Sequence, residues 1–260
     1  MVRALSTAAT GMNAQQTQID IIANNLANVN TWGFKRSRGE FQDLYYQQIR
    51  AATASQQGSA NPIGLEVGQG VRVMSSQKLF TAGDMMQTDA PLDLAIEGRG
   101  FFRVTTQNGS PAYTRAGQLH VNEQGALVNS DGYALEPGIS IPPDATEITI
   151  NREGIVSVKQ SDQEDAVQVG QVQLTVFPNP AGLKSLGRGL FAATPTTGEA
   201  FEGAPGQAGV GAVQQGALEG SNVKVVEEMI GLISAQRAYE INSKVVQATD
   251  QMLREASNIR

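Results

Sequence analysis

Residues 1–35 read MVRALSTAATGMNAQQTQIDIIANNLANVNTWGFK. Apolar positions recur there in steps of four and three: Met1, Leu5, Ala8 and Met12, then polar Gln15, then Ile19, Ile22, Leu26 and Val29. An a/d seam sustained over four heptads predicts one helix, about 45 Å long at ~1.5 Å per residue. Asn30 and Gly33 are its stop signals, because both tolerate the left-handed conformation that closes helices. Trp32 and Phe34 flank that glycine, and the basic trio Lys35, Arg36 and Arg38 follows.

The opposite face of this helix is almost uncharged. Between Met1 and Phe34 only Arg3 and Asp20 carry charge, and the other polar positions are amides and hydroxyls, among them Asn13, Gln16, Gln18, Asn24, Asn25 and Asn28. A face meant for water normally carries Lys and Glu, so a neutral one predicts contact with protein, where buried charge is costly. The seam itself is weak. Each large apolar side chain contributes about 1.5–3 kcal/mol when buried, against roughly 1–2 kcal/mol of backbone entropy for every residue ordered. The segment is therefore expected to be disordered in a free monomer and helical on assembly.

A second long helix is predicted for 221–260, capped by Ser221 or Asn222, with Glu227 and Glu228 favourable to its dipole. It carries two apolar stripes. Val225, Leu232, Tyr239, Val246 and Leu253 repeat every seven residues, while Ile230, Ile233, Ile241, Val245, Ala248, Met252 and Ile259 make the other. Two stripes call for two partners, the first helix and another subunit.

Between the helices the period changes to two. Short alternating or apolar runs such as Leu92–Ile96, Phe101–Thr105 and Ile155–Val158 are separated by Asn108-Gly109, Gln124-Gly125, Asp131-Gly132 and Glu153-Gly154. These pairs signal hairpins whose two central residues both take φ > 0. The run 40–46 is a short aromatic-rich element, helix or strand; 51–70 is a floppy linker or an extended excursion along a neighbouring subunit. The return segment 196–220 is Gly-rich, with 213–218 able to pair as strand near the exit of the first helix. The fold class expected is α+β and multi-domain: long terminal helices forming a coiled-coil pair around a central mainly-β domain, barrel or sandwich. Its boundaries fall at 1–35, 36–75, 76–195, 196–220 and 221–260.

The run Asn24-Asn25-Leu26-Ala27-Asn28, followed by Thr31-Trp32-Gly33-Phe34-Lys35, closely resembles the signature of the bacterial flagellar axial proteins, the rod and hook family. The segment 235–244, with Asp250-Gln251-Met252-Leu253 and the central runs Glu97-Gly98-Arg99-Gly100-Phe101-Phe102 and Tyr113-Thr114-Arg115-Ala116-Gly117, narrows the resemblance toward the distal rod. Trp32 departs from the pattern, which has a small or polar residue before the glycine. The resemblance implies terminal helices at the core of a tubular filament that transmits torque across the periplasm. It implies partners too: further copies of the chain, proximal rod proteins and hook protein at the two ends, surrounding ring proteins of the basal body, and the type III export apparatus. The assembly residues are then Leu5, Met12, Ile19, Ile22, Leu26, Val29, Trp32 and Phe34, with Ile230, Leu232, Ile233, Tyr239, Ile241, Val245, Val246, Met252 and Leu253.

Composition narrows the alternatives. Charged residues are 17% of 260, and the net charge of −6 argues against a nucleic-acid binder. The trio Lys35, Arg36, Arg38 then reads as a solvated patch or a subunit salt contact. Without cysteine there are no disulfides or thiolate metal sites. No apolar h-region follows Arg3 and no run approaches a membrane span, so neither a cleaved signal peptide nor membrane insertion is expected. His120 is the only histidine, no GxSxG or GxxxxGK[ST] occurs, and Asp162, Glu164 and Asp165 fall in a polar turn. The expectation is no enzyme, cofactor or metal. The alternatives are a proximal rod or short hook-like protein and, from another class, a secreted cell-wall-binding module or enzyme.

Overall fold

Residues 2–27 contain no proline and a single glycine, and in the computed structural model they form α1 (Val2–Ala27). The structure describes residues 2–50, 64–160, 165–207 and 209–258. Ser6, Thr10 and Thr17 turn their hydroxyls back onto carbonyls of α1 itself, at 2.8, 2.8 and 3.1 Å. Helix α1 stops at Ala27, so Val29 lies in the following turn and not on a seam. The cause is local: Asn28 accepts the Thr31 hydroxyl on its side chain (3.2 Å) and the Thr31 N–H on its carbonyl (3.2 Å), in place of a further helical turn.

The chain divides into two compact units: Met1–Ala27, Ser37–Gln77 and Lys224–Arg260 make the first, Asn28–Arg36 and Lys78–Val223 the second. In the first, α1 packs against α2 (Val225–Asn258). Gly11 lies beside Asn242, Ile22 beside Gly231, and Asn25 is hydrogen-bonded to Glu228. As one residue number rises the other falls by the same amount, so the helices run antiparallel. A Cβ on Gly11 would sit 2.9 Å from Asn242 Nδ2, and one on Gly231 would sit 3.3 Å from Ile22 Cδ1. The buried positions are mostly small or polar: Ala8, Ala14, Ile22 and Asn25 on α1, Glu228, Ala235 and Thr249 on α2. Helix α2 starts at Val225, beyond both residues expected to cap it.

Two antiparallel ribbons complete this unit. Ser37–Asp43 pairs with Val71–Lys78, and Tyr46–Arg50 pairs with Leu65–Gly68. The aromatic-rich element is thus strand, and 65–68 of the expected excursion is strand as well; its residues 51–63 lie outside the described residues. The ribbon lies close along α1. Val71 N–H donates to Thr10 Oγ1 at 3.3 Å, and a Cβ on Gly39 would come within 3.0 Å of Ile21 Cδ1.

The second unit is all β apart from two short 3-10 turns. Its main sheet runs in the order Lys184–Gly187, Leu190–Ala192, Pro111–Thr114, Phe101–Thr105, Ala134–Glu136, Leu127–Asn129, Leu119–Val121. It forks at Phe101–Thr105, one edge of which is shared between Ala134–Glu136 and Leu174–Val176. Ala145–Ile150, Ile155–Gln160 and Val167–Gln171 form a separate three-stranded sheet. Among the described residues the two ends of the main sheet do not pair, so no barrel closes. Alternation sorts the core. Phe102 and Val104 join Leu94, Ile96, Leu119, Leu127, Leu135 and Leu174 in the principal cluster. Phe101 on the opposite face joins Tyr113, Phe177 and Phe191, stacked edge-on with centroids 4.8–6.2 Å apart.

The hairpins differ from expectation. Gly109, Gly125, Gly132 and Gly154 all take positive φ (+73° to +81°), but the residue before each does not. Three of the four turns follow one pattern, Asn-x-x-Gly. Asn122 Oδ1 accepts the N–H groups of Gln124 and Ala126, Asn129 Oδ1 those of Asp131 and Tyr133, and Asn151 Oδ1 those of Glu153 and Ile155, at 2.8–3.1 Å. The asparagine carbonyl then accepts the glycine N–H at 2.9–3.0 Å. A side-chain acceptor at the first position holds the loop, so only the glycine needs the left-handed region.

Candidate functional site

Gly33 adopts φ +66° and donates its N–H to the Glu219 carbonyl at 2.8 Å. A Cβ there would lie 2.6 Å from Ala116 N and 2.7 Å from Arg115 C, both backbone atoms. Gly33→Ala is accordingly expected to cost about 2–3 kcal/mol in chemical denaturation, from left-handed strain plus displacement of the neighbouring backbone at Arg115 and Ala116. The turn sends Lys35 inward. Its ammonium stands 2.6 Å from Glu219 Oε1 and donates to the Thr81 carbonyl at 2.7 Å, and both side chains of the pair are wholly buried. Glu219 Oε1 also accepts the Gly83 N–H at 3.0 Å. On the other oxygen, Arg115 Nε approaches to 3.5 Å, while Arg115 Nη2 donates to the Gly98 carbonyl at 2.8 Å and the guanidinium lies over the Phe101 ring.

Two cations and one carboxylate therefore share a buried site. Burial pulls the Lys35 ammonium below the usual lysine range; Glu219 opposes the shift and Arg115 adds to it. The solvated reading of the basic trio fails for Lys35, because the Gly33 turn directs that side chain into the β unit; of the three only Arg38 is exposed, 3.4 Å from Glu40. Asn222, expected as a helix cap, instead bridges residues 36 and 79: its Oδ1 accepts the Arg36 N–H (2.7 Å) and its Nδ2 donates to the Leu79 carbonyl (2.8 Å). The three motifs quoted from the sequence, around Gly33, Gly98 and Arg115, thus converge on Glu219. No motif in the sequence points to Glu219; a lone acid between Leu218 and Gly220 in an alternating run is its one local signal.

In the helical unit the corresponding junction is Asn25, 1% exposed. Its Oδ1 accepts the Ser37 N–H (2.8 Å), and its Nδ2 donates to the Ser37 carbonyl (2.8 Å) and to Glu228 Oε2 (3.2 Å). The amide acts as one rung of a strand and ties α1 to the ribbon and to α2. Glu228 is thereby buried at 2% exposure and serves as an interhelical acceptor, whereas Glu227 remains at the surface, 3.1 Å from Lys224. Asn25→Ala is expected to destabilise the helical unit by about 3 kcal/mol in urea melts of the polymer, since it strips buried backbone groups and a carboxylate of their partners.

The expected assembly residues fall into groups. Ile22 is buried; Leu5, Met12, Ile19, Leu26, Val29, Trp32, Phe34, Leu232, Val246 and Leu253 are partly buried. Ile230, Ile233, Tyr239, Ile241, Val245 and Met252 are exposed; all of these but Tyr239 share one side of α2, which exposed Val226 and Met229 extend. Met1 and Ile259 lie outside the described residues, as do Asp162 and Glu164. His120 and Asp165 are exposed, and among the described residues no group of three His, Cys, Asp or Glu could hold a metal ion. Among the described residues no helix is long and apolar enough to cross a membrane.

Three family models match the chain: "Flagella basal body rod protein" over residues 5–35, "Flagellar hook protein FlgE/F/G D1 domain" over 95–158, and "Flagellar basal body rod FlgEFG protein C-terminal" over 214–259. Among similar curated proteins, the flagellar basal-body rod protein FlgG of Caulobacter vibrioides is 48% identical over the whole of both chains. That of Borreliella burgdorferi is 46% identical over all of this chain and 99% of its own, and that of Bacillus subtilis 37% over the whole of both.

Proposed function

The chain belongs to the flagellar basal-body rod protein family, and we propose that it is a structural subunit of the distal rod, polymerising into a stiff helical tube that carries motor torque across the periplasm to the hook. It acts as a building element, not an enzyme, and uses no cofactor. The supporting observation is the apolar surface of α2. Ile230 and Ile241 are 63% and 62% exposed on a helix already packed along α1. A face of that size left to water is a binding surface. Repeating one heterologous contact without ring closure generates a filament.

In this reading α1 and α2 act as a coiled-coil pair, completed by the helices of neighbouring copies, and form the inner tube. The β region 76–195 forms the outer wall, 36–75 connects, and 196–220 returns the chain to the terminal helices. The neutral, amide-bearing part of α1 also faces protein in the polymer. The ribbon next to Tyr45, a residue 90% exposed, lies along an adjacent subunit. The subunit leaves the cell through the type III export apparatus without a cleaved signal. It meets proximal rod proteins and hook protein at the two ends and the ring proteins around its circumference.

Electron microscopy of the purified chain at raised concentration tests this. Straight tubes of fixed diameter are expected; curved, readily bent polymers would reassign it to a hook-like protein, and a chain that stays monomeric at every concentration would defeat the proposal. Circular dichroism and limited proteolysis supply the companion measurement. The terminal helices should be trimmed in monomer and protected in polymer.

A further inference from the structure

The turn between Lys184–Gly187 and Leu190–Ala192 holds the only non-glycine residue with positive φ among the described residues, Arg188 at +54°. With Gly189 at +71°, it occupies the first central position of a two-residue hairpin turn, where Asn, Asp or Gly is the ordinary choice. Arginine is strained there, and the hairpin does not require it. Its side chain extends to the rim of a cavity of about 310 Å³, lined also by Trp32, Thr114, Gln118, Asn129 and Asp131.

The polar lining is neutral overall and still has capacity to bond. Arg188 Nη1 stands 3.6 Å from Asp131 Oδ1, so the two charges offset each other. Asn129 is 8% exposed; its Oδ1 is taken by the turn described above, and its Nδ2 has no partner among the described residues. Thr114 is satisfied, donating to the Gly189 carbonyl and accepting the Ala116 N–H. Trp32, where this chain departs from its family's motif, adds an indole surface to the lining. An aromatic surface for C–H groups, planar amides, and a self-neutralised carboxylate–guanidinium pair suit a neutral polyhydroxylated ring better than an anion, a cation or an apolar ligand.

We propose that this cavity is a subsite for one or two neutral sugar rings, independent of self-assembly. Trp32 is the chain's only tryptophan, so its fluorescence reads this site alone. The probes are N,N′-diacetylchitobiose and cellobiose, titrated against the intact dilute chain. A saturable change in emission is expected with at least one of them, with Kd on the order of 1 mM. Arg188→Asn suits the turn and should leave thermal stability equal or higher, while weakening the sugar about tenfold. No saturable change with either disaccharide overturns the proposal. So does equal affinity in Arg188→Asn, or an emission change that follows protein concentration and ignores sugar.

Discussion

Lys35→Met is expected to lower the stability of the β unit by about 3–5 kcal/mol, the range for breaking one side of a buried ion pair. The loss leaves Glu219 buried with only Arg115 at 3.5 Å and the Gly83 N–H to support it, and it leaves the Thr81 carbonyl with only the longer bond from Asn222 Nδ2, at 3.3 Å. Glu219→Gln should cost at least as much, because two buried cations would then face a neutral amide. The midpoint of thermal unfolding should fall by roughly 10 °C in each case. The double variant should lose less than the two single losses combined, as expected of side chains in direct contact. A fall below about 1 kcal/mol for both singles would mean that water reaches the cluster and that the pair is worth no more than a surface one.

Ile241→Asp should act in the opposite way, leaving the monomer intact and removing the polymer. At 62% exposure the substitution touches little within the chain, and a surface change of that kind stays within about 0.5 kcal/mol in a melt. In a contact with a second copy the same carboxylate is driven out of water without a partner. About 3 kcal/mol per contact raises the concentration needed for polymerisation by roughly 100-fold. Ile230→Asp should behave alike and the pair together more severely; sedimentation of wild type and variants over a concentration series is the measurement. Wild-type polymer from the double variant would remove the α2 surface from the assembly.

The contrast between these two positions shows what periodicity reveals and what it hides. The long helices, the change to a two-residue period and the hairpin glycines at 109, 125, 132 and 154 all follow from local spacing. The partner of each stripe does not. Apolar counting makes Leu5, Ala8, Met12, Ile19, Ile22 and Leu26 the seam of α1; α2 meets that seam at Ile22, but it also meets α1 at Gly11 and Asn25, which lie off it. Helices approach most closely where side chains are smallest, and a count of large apolar residues is blind to that. Lys35 misled for a related reason. A lysine beside two arginines looks solvated until the glycine two residues earlier is seen to turn it inward, toward an acid far away in the sequence. Burial of that acid rests on tertiary contacts with no local trace.

The hydrogen bonds also imply an order of events as the chain acquires structure. Asn122 holds a residue only four positions away, and Asn129 and Asn151 do the same, so these loops close early and register there is set locally. The Asn25–Glu228 contact spans 203 residues, nearly the whole chain, and loop-closure entropy makes such a contact late to form and early to open. The molecule should therefore spend its youth as a finished centre with two unattached ends, the condition in which an arriving subunit can still be threaded among those already in place.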